Sequence, residues 1–451
     1  MDLIERDKKY VWHPFTPQKD MANPIAIIKA KDSLLFDDKG NSYIDAISSW
    51  WVTLHGHANV YIAEKIYQQA LQLEQVIFAG FTHQPAVDLA EKLLQILPGN
   101  LSKIFYSDNG STATEVALKM AVQYWWNQEE EKELGIGNWE FGEGSKPATN
   151  NLKRTKILAF KNAYHGDTFG AMSVSDRSIF TLAFHDLLFE VIFIDTPTQE
   201  NIGDIKAVVH KHAAEIAAFI YEPLVQGAGG MKMYDTYLMN ELLNTVKLNG
   251  IICIADEVMT GFGRTGKFFA SEYMHKQPDI ICMSKGLTGG TMALGATACN
   301  EKIYNAYVTD DKLKTFFHGH SFTANPIACS AALASMDLLL LPATIDAVER
   351  ITQANKNFIQ KIESSFNTSV LPYKNLRSLG TILAFEIAEG KDEYLNNISA
   401  AITQTCFTHG VYLRPLGNTV YIMPPYCITD NELDKIYDTI LLLLNGWNGH
   451  K

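Results

Sequence analysis

The chain of 451 residues is poor in the features that would tie it to nucleic acid, a membrane or an oxidising compartment. Its 38 Lys and Arg are outnumbered by 50 Asp and Glu, for a net charge of -12, and they form no basic cluster of the kind a phosphate backbone requires. No run reaches the roughly 18 apolar residues that span a bilayer. The opening stretch from Met1 to Phe15 lacks an apolar signal core, so a cytoplasmic protein is expected. The six cysteines, at 253, 282, 299, 329, 406 and 427, include no close pair and read as reduced, mostly buried thiols. Internal repeats and low-complexity tracts are absent. The hydrophobic share of 47% and charged share of 20% are those of an ordinary globular protein.

What is there concentrates between Ile251 and Gly290. The run Ile251–Ala255 reads as a buried strand that stops at two carboxylates, Asp256 and Glu257. A second apolar run, Ile280–Met283, stops at Ser284, Lys285 and Gly286. In open parallel sheets ligands sit beyond the carboxyl ends of the strands, so Asp256 and Lys285 are expected to face one crevice. Pyridoxal phosphate chemistry needs such a pair: a lysine amine that condenses with the aldehyde, and a carboxylate that keeps the pyridinium nitrogen protonated. A lysine with its ordinary pKa of about 10.4 must first be made a better nucleophile by burial and nearby positive charge. On these residues alone, a surface lysine after an edge strand and a helix-capping aspartate is an equal reading. Nucleotide readings fail on context. The glycine pattern Gly261–Gly266 begins five residues after the strand instead of in its first turn, and Phe268 stands where a phosphate-binding loop needs Ser or Thr.

Taken in order, residues 1–56 hold a polar, aromatic-spiked opening and a hairpin, 33–37 with 42–46, turning at Lys39 and Gly40. The adjacent Trp50 and Trp51 read as core fillers in preference to a pocket wall. Tyr61–Val76 and Pro85–Leu97 have helical periodicity. Ile104–Ser107 forms a short strand that runs through Asn109, Gly110 and Ser111 into a helix reaching about Trp126. Thr112 and Glu115 there have capping-box spacing, and the free amides suit a phosphate or an ordinary turn equally. Residues 127–153 read as a surface excursion. Lys156–Phe160 and Phe219–Glu222 add strands whose ends carry Tyr164, His165 and Glu222. Beyond Lys285, a glycine-rich stretch to Gly295 leads through a helical segment to His318, Gly319, His320 and Ser321. The His-x-His pairs at 55/57 and 318/320 lack the partner that would complete a metal set, so no metal is expected. A long helix is expected from Asn325 through Leu341, then strands at 379–386, 411–414 and 420–423. The organisation is read as a large domain, 57–325, and a small α+β domain, 326–451, joined by 1–56.

Assembled, these residues resemble the class III, fold type I pyridoxal-phosphate aminotransferases over nearly the whole chain. The likeness is carried by WHPFT (12–16), SSWW (48–51), YHGDTFGAMSV (164–174), VQGAGGM (225–231), DEVMTGFGRTG (256–266), SKGLTGG (284–290) and YIMPPY (421–426). It implies an α/β fold with a mixed, mostly parallel sheet in the large domain, and a homodimer with active sites at its interface. Lys285 would be the Schiff-base lysine and Asp256 the pyridinium partner, with Tyr164 and His165 at the ring, Gly110 and Ser111 at the phosphate, and Glu222 also contacting the cofactor. Ser321 would reach the phosphate across the dimer, Arg414 would bind the substrate carboxylate, and Phe15, Trp50, Trp51, Gly319 and Tyr421 would shape the substrate site. The motifs come nearest to those members that convert 8-amino-7-oxononanoate to 7,8-diaminononanoate in biotin biosynthesis, with S-adenosyl-L-methionine as amino donor. The chain departs from them at Phe15, where they carry Tyr, at His320-Ser321, where they carry Pro-Thr, and in the longer excursion. Lysine as donor, or another ω-amine as substrate, is the alternative that these departures leave open.

Overall fold

A short helix, Leu3–Tyr10, and then three strands open the structure, a computed structural model that describes residues 1–19, 21–128, 154–366, 371–388 and 398–447. β1 (Ile27–Lys31), β2 (Leu34–Asp37) and β3 (Ser42–Asp45) are successive antiparallel neighbours. The expected hairpin between the last two is locked by Asp37, whose carboxylate accepts the N–H groups of Lys39 and Asn41. Most of the expected 127–153 excursion lies outside the described residues.

The central sheet is built next. β4 (Leu101–Ser107), β5 (Lys156–Phe160), β6 (Val191–Ile194) and β7 (Ile216–Tyr221) precede a short hairpin of β8 (Val225–Gln226) and β9 (Lys232–Met233). β10 (Ile252–Asp256), β11 (Ile280–Met283) and β12 (Gly295–Asn300) follow. The order is β4-β12-β11-β10-β7-β5-β6. β12 alone runs against its neighbours, and the pairs from β11 through β6 are parallel. Every residue of β7, β10, β11 and β12 is buried, as expected where helices cover both faces of a parallel sheet.

β12 corrects the sequence reading, which ran a helical segment from Gly295 toward His318. Its residues, GATACN, are small and not rich in β-branched side chains, so their strand signal is weak. Their size has a packing reason. The Gly110–Gln128 helix lies directly over the strand, with Thr297 Oγ1 donating to the Ala113 carbonyl (2.9 Å), and a side chain on Gly295 would strike the Asn109 carbonyl. A second correction concerns the start of that helix. Thr112 pairs with Asn109, whose N–H it accepts and whose side chain accepts its own. Glu115 turns away to accept the N–H groups of Gly170 and Ala171 (2.7 and 3.2 Å), heading a different helix, Phe169–Val174.

β13 (Tyr373–Leu379), β14 (Ile382–Ile387) and β16 (Thr419–Ile422) form a separate antiparallel sheet, while β15 (Val411–Tyr412) pairs parallel with β3. The N-terminal hairpin therefore shares a sheet with the C-terminal segment. The expected long helix ends at Leu339, and Pro342 opens a second helix, Pro342–Ser365. The first of these packs on the Val60–Gln72 and Gln84–Ile96 helices and on the turn after Lys285. Among the described residues no single helix is long and apolar enough to cross a membrane; the two helices from Pro326 to Ser365, bent by 69°, pass that test only as a pair.

Candidate active site

β10 and β11 are parallel neighbours with Asp256 opposite Cys282, so the carboxylate and the Ser284-Lys285 turn emerge at one sheet edge. Asp256 is buried. Its Oδ2 lies 2.7 Å from His165 Nδ1, and its Oδ1 accepts the Val258 N–H (3.1 Å). A carboxylate can only accept here, which makes Nδ1 of His165 the protonated nitrogen. His165 thus sits against Asp256 and, with it, lines the site's cavity.

Lys285 occupies a left-handed backbone conformation, φ +47°, and its Nζ lies 4.5 Å from the centre of the Trp51 ring. Burial pulls its amine down from 10.5 to about 8, against the charges of Asp256 and Glu222, which act to raise it. Glu222 stands just beyond β7 and accepts the N–H groups of Tyr164 (3.1 Å) and Gly227 (2.9 Å). Burial pushes this carboxyl up to about 7. Tyr164 is half-buried over the same cavity, its phenol pushed up by burial and then by Asp167.

A cavity of about 460 Å³ joins these groups to Gly110 and Ser111 at the head of the Gly110–Gln128 helix. Two close approaches shape that end. A side chain on Gly110 would come within 2.8 Å of Val258 Cγ1, and one on Gly166 would strike Ser111 Oγ. Bare backbone at a helix N-terminus, beside a carboxylate and an amine of lowered pKa, suits a flat ligand with an anionic tail.

The outer residues are arranged differently. Trp51 is 4% exposed and donates through Nε1 to Tyr421 Oη (2.9 Å), whereas Trp50 is 41% exposed. The tryptophans expected in the core are therefore split, Trp51 walling the cavity. Their turn is strained, with Ser48, Ser49 and Trp51 all at positive φ. Asp45 holds it by accepting the N–H groups of Ile47 and Ser49, and Ser48 Oγ donates to the Met423 carbonyl. Phe15, 45% exposed and at φ +50°, packs edge-on against Trp50 and Phe180. The Arg414 guanidinium lies 4.9 Å from the Trp50 ring centre. Ser321 is exposed, its carbonyl accepting from Gln75, and neither it nor Gly319 lines the cavity within one chain. A second cavity of about 620 Å³ shares Tyr164 and Gly166 with the first and is bordered by Phe180, Lys232 and Asn418.

The family model for aminotransferase class III matches residues 15–444. A protein of Synechococcus elongatus named adenosylmethionine-8-amino-7-oxononanoate aminotransferase is 44% identical over 97% of this chain and 98% of its own. The crystal structure of the aminotransferase of that name from Methanocaldococcus jannaschii superposes with a TM-score of 0.87 at 32% identity, covering 98% of each chain. An omega transaminase from Pseudomonas jessenii, in complex with PMP, gives a TM-score of 0.87 at 22% identity over 99% of this chain and 98% of that one, a likeness of fold. The chain belongs to the class III aminotransferases. It uses pyridoxal phosphate, and the cavity fits that cofactor in its acid, its amine and its anion cradle.

Within this aminotransferase, the sequence reading placed Glu257 at the strand end but gave it no role, and it passed over Arg264. Glu257 accepts from Thr260 Oγ1 (2.5 Å), Ala270 N (3.1 Å) and Ser271 N (2.6 Å), and burial raises its pKa in spite of them. Arg264 is 1% exposed and donates to the carbonyls of Pro424 (2.9 Å) and Thr53 (3.2 Å), tying the loop after β10 to both ends of the chain. The glycines that mimicked a nucleotide fingerprint serve this packing, since a side chain on Gly261 would meet the Glu257 carbonyl at 2.8 Å and one on Gly263 the Tyr426 hydroxyl at 2.9 Å. A buried charge in an otherwise apolar loop, Glu257 beside Asp256 and Arg264 between glycines, was the available signal.

Proposed function

We propose that this aminotransferase converts 8-amino-7-oxononanoate to 7,8-diaminononanoate in biotin biosynthesis, with S-adenosyl-L-methionine as amino donor. The observation that carries the reading is the convergence of Asp256 and Lys285 on one cavity, supported by the name borne by end-to-end relatives. Pyridoxal phosphate, when bound, supplies an aldehyde that condenses with amines and a ring that withdraws electrons. Lys285 would hold it covalently and, with an amine at about 8, can both release and take up a proton near neutral pH. Asp256 would hold the ring nitrogen protonated, with His165 fixing the carboxylate. Gly110 and Ser111 would hold the phosphate through backbone and hydroxyl, Tyr164 would cover the ring, and Glu222 would orient Tyr164 through its backbone. Arg414 would bind the substrate carboxylate between Trp50, Trp51 and Tyr421.

The position of Ser321 and Gly319 outside the cavity of their own chain supports a homodimer in which they serve the neighbouring site. A cytoplasmic location agrees with the cysteine pattern. The three-segment division, 1–56, 57–325 and 326–451, is proposed with one change: the packing of the Pro326–Leu339 helix on the large body supports moving the second boundary to Leu341. One observation favours a second donor. Phe15 brings no hydroxyl to the Trp50 wall, so a hydrogen bond that a Tyr there would offer the donor's polar groups is missing, which leaves room for another amine such as lysine. Incubating the purified protein with the oxononanoate and each donor, and weighing the product, decides: diamine with S-adenosyl-L-methionine supports the main reading, diamine with lysine alone the second, and none with either overturns both.

A further inference from the structure

Lys285 is a non-glycine residue in the left-handed region, a strained conformation that persists only where surrounding contacts impose it. Part of the restraint is local. Leu287 N–H donates to the Ser284 carbonyl (3.0 Å), Gly289 N–H to the Gly286 carbonyl (2.9 Å), and Ser284 Oγ to the Leu294 carbonyl (2.7 Å). Another part comes from far away in the chain. Ser335, in the Pro326–Leu339 helix and 1% exposed, donates its hydroxyl to the Gly286 carbonyl (3.3 Å). Behind it, His55 Nε2 lies 3.1 Å from Ser335 Oγ. The hydroxyl has one proton and spends it on Gly286, so His55 must be the donor to Ser335. Burial lowers the His55 imidazole to about 4, which leaves it neutral at physiological pH, with the proton on Nε2 that this bond requires.

The chain of contacts is tight around the turn. A side chain on Gly286 would lie 3.1 Å from Leu54 Cδ1, and one on Gly289, itself at φ +63°, would lie 3.1 Å from His55 Cδ2 and 3.2 Å from Ser335 Oγ. The segment carrying Leu54 and His55, the turn carrying Lys285, and the helix carrying Ser335 thus meet with no slack. None of these contacts touches the cavity, and neither residue belongs to the proposed catalytic set.

We propose that His55 and Ser335 are positioning residues for Lys285: the hydrogen-bonded chain from His55 through Ser335 to the Gly286 carbonyl fixes the backbone beside the reactive amine. The proposal rests on Lys285 being that amine. Its consequence is a specific dependence. Removing the Ser335 hydroxyl frees the Gly286 carbonyl on one side, and removing His55 acts only by loosening Ser335.

The test uses full-length protein stripped of cofactor, to which pyridoxal phosphate is added back. Capture at Lys285 is followed by its visible absorbance and confirmed by borohydride reduction and peptide mass. Ser335→Ala should slow capture about three- to tenfold, the value of one lost hydrogen bond, at a melting temperature that still leaves the protein folded. His55→Leu should slow it comparably, and His55→Gln, which keeps an N–H donor, should restore much of the rate. Because His55 acts through Ser335, the Ser335→Ala/His55→Leu double variant should be no slower than Ser335→Ala alone. Capture at the wild-type rate in Ser335→Ala, or single effects that multiply in the double variant, overturns the proposal. Absence of label on Lys285 in the wild type overturns the active-site reading instead.

Discussion

The inner and outer halves of the active site are built on opposite terms. The inner half, Asp256, His165, Glu222 and Lys285, sits at strand ends, and its polar groups are fixed by named hydrogen bonds or by burial. The outer half, Phe15, Trp50, Arg414 and Ser321, is carried on loops and is partly or largely exposed, with ring contacts outnumbering polar ones. The difference teaches where each property resides. Proton handling needs groups whose environment is set before substrate arrives, and a sheet edge supplies it. Choice of amine needs a surface that can change without disturbing that chemistry, and loops supply it.

Substitutions can break this contrast, the largest effect first. Lys285→Ala removes the covalent anchor and the proton carrier together, so transamination should fall about 10⁴-fold or more, while the melting temperature is kept; steady-state assay and calorimetry check both. Asp256→Asn keeps the hydrogen-bonding shape but discards the charge. Turnover should drop about 10²- to 10³-fold with little change in stability, and equal losses of folded protein and activity would make the inner half structural scaffolding. At the outer half the same treatment should leave kcat alone. Arg414→Ala ought to raise KM for the oxononanoate by roughly tenfold or more, the value of a charge-assisted hydrogen bond; a fall in kcat at unchanged KM would place Arg414 with the inner set. Smallest is Phe15→Tyr, which should change the ratio of S-adenosyl-L-methionine to lysine use by an amount worth about 1 to 3 kcal/mol. Identical donor ratios would mean that Phe15 only packs on Trp50 and Phe180.

The same contrast explains what could be read in the sequence. Strand ends were legible because a buried apolar run that stops at a charge marks where the sheet ends, which put Asp256, Lys285 and Glu222 at one edge; their roles came from the motif resemblance, and the hairpin at Lys39 from its turn residues. β12 was not, because its small residues answer to the helix above them and not to strand propensity. Glu115 had capping-box spacing from Thr112 yet serves a helix more than fifty residues on, since local spacing does not say where a flexible carboxylate will point. The β3–β15 pairing and the contacts of His55 with Ser335 and of Arg264 with Pro424 join distant segments, which periodicity does not register. The roles of the outer residues came from motif resemblance, and their positions on loops left nothing in the pattern to fix them.

One measurement bears most directly on the inner half. Cofactor-free protein is exposed to pyridoxal phosphate across a range of pH, reduced with borohydride at short times, and digested for peptide mapping. Lys285 has a folded pKa lowered from 10.5 to about 8. Its neutral, nucleophilic form therefore accumulates as pH rises through about 8, and over the interval up to 10.5 the unfolded chain binds the extra proton, so this group's contribution to stability grows with pH. The account predicts a single labelled peptide, containing Lys285, whose labelling rate rises with a midpoint at about 8. Label spread over other lysines, or a midpoint at the ordinary lysine value, would contradict it.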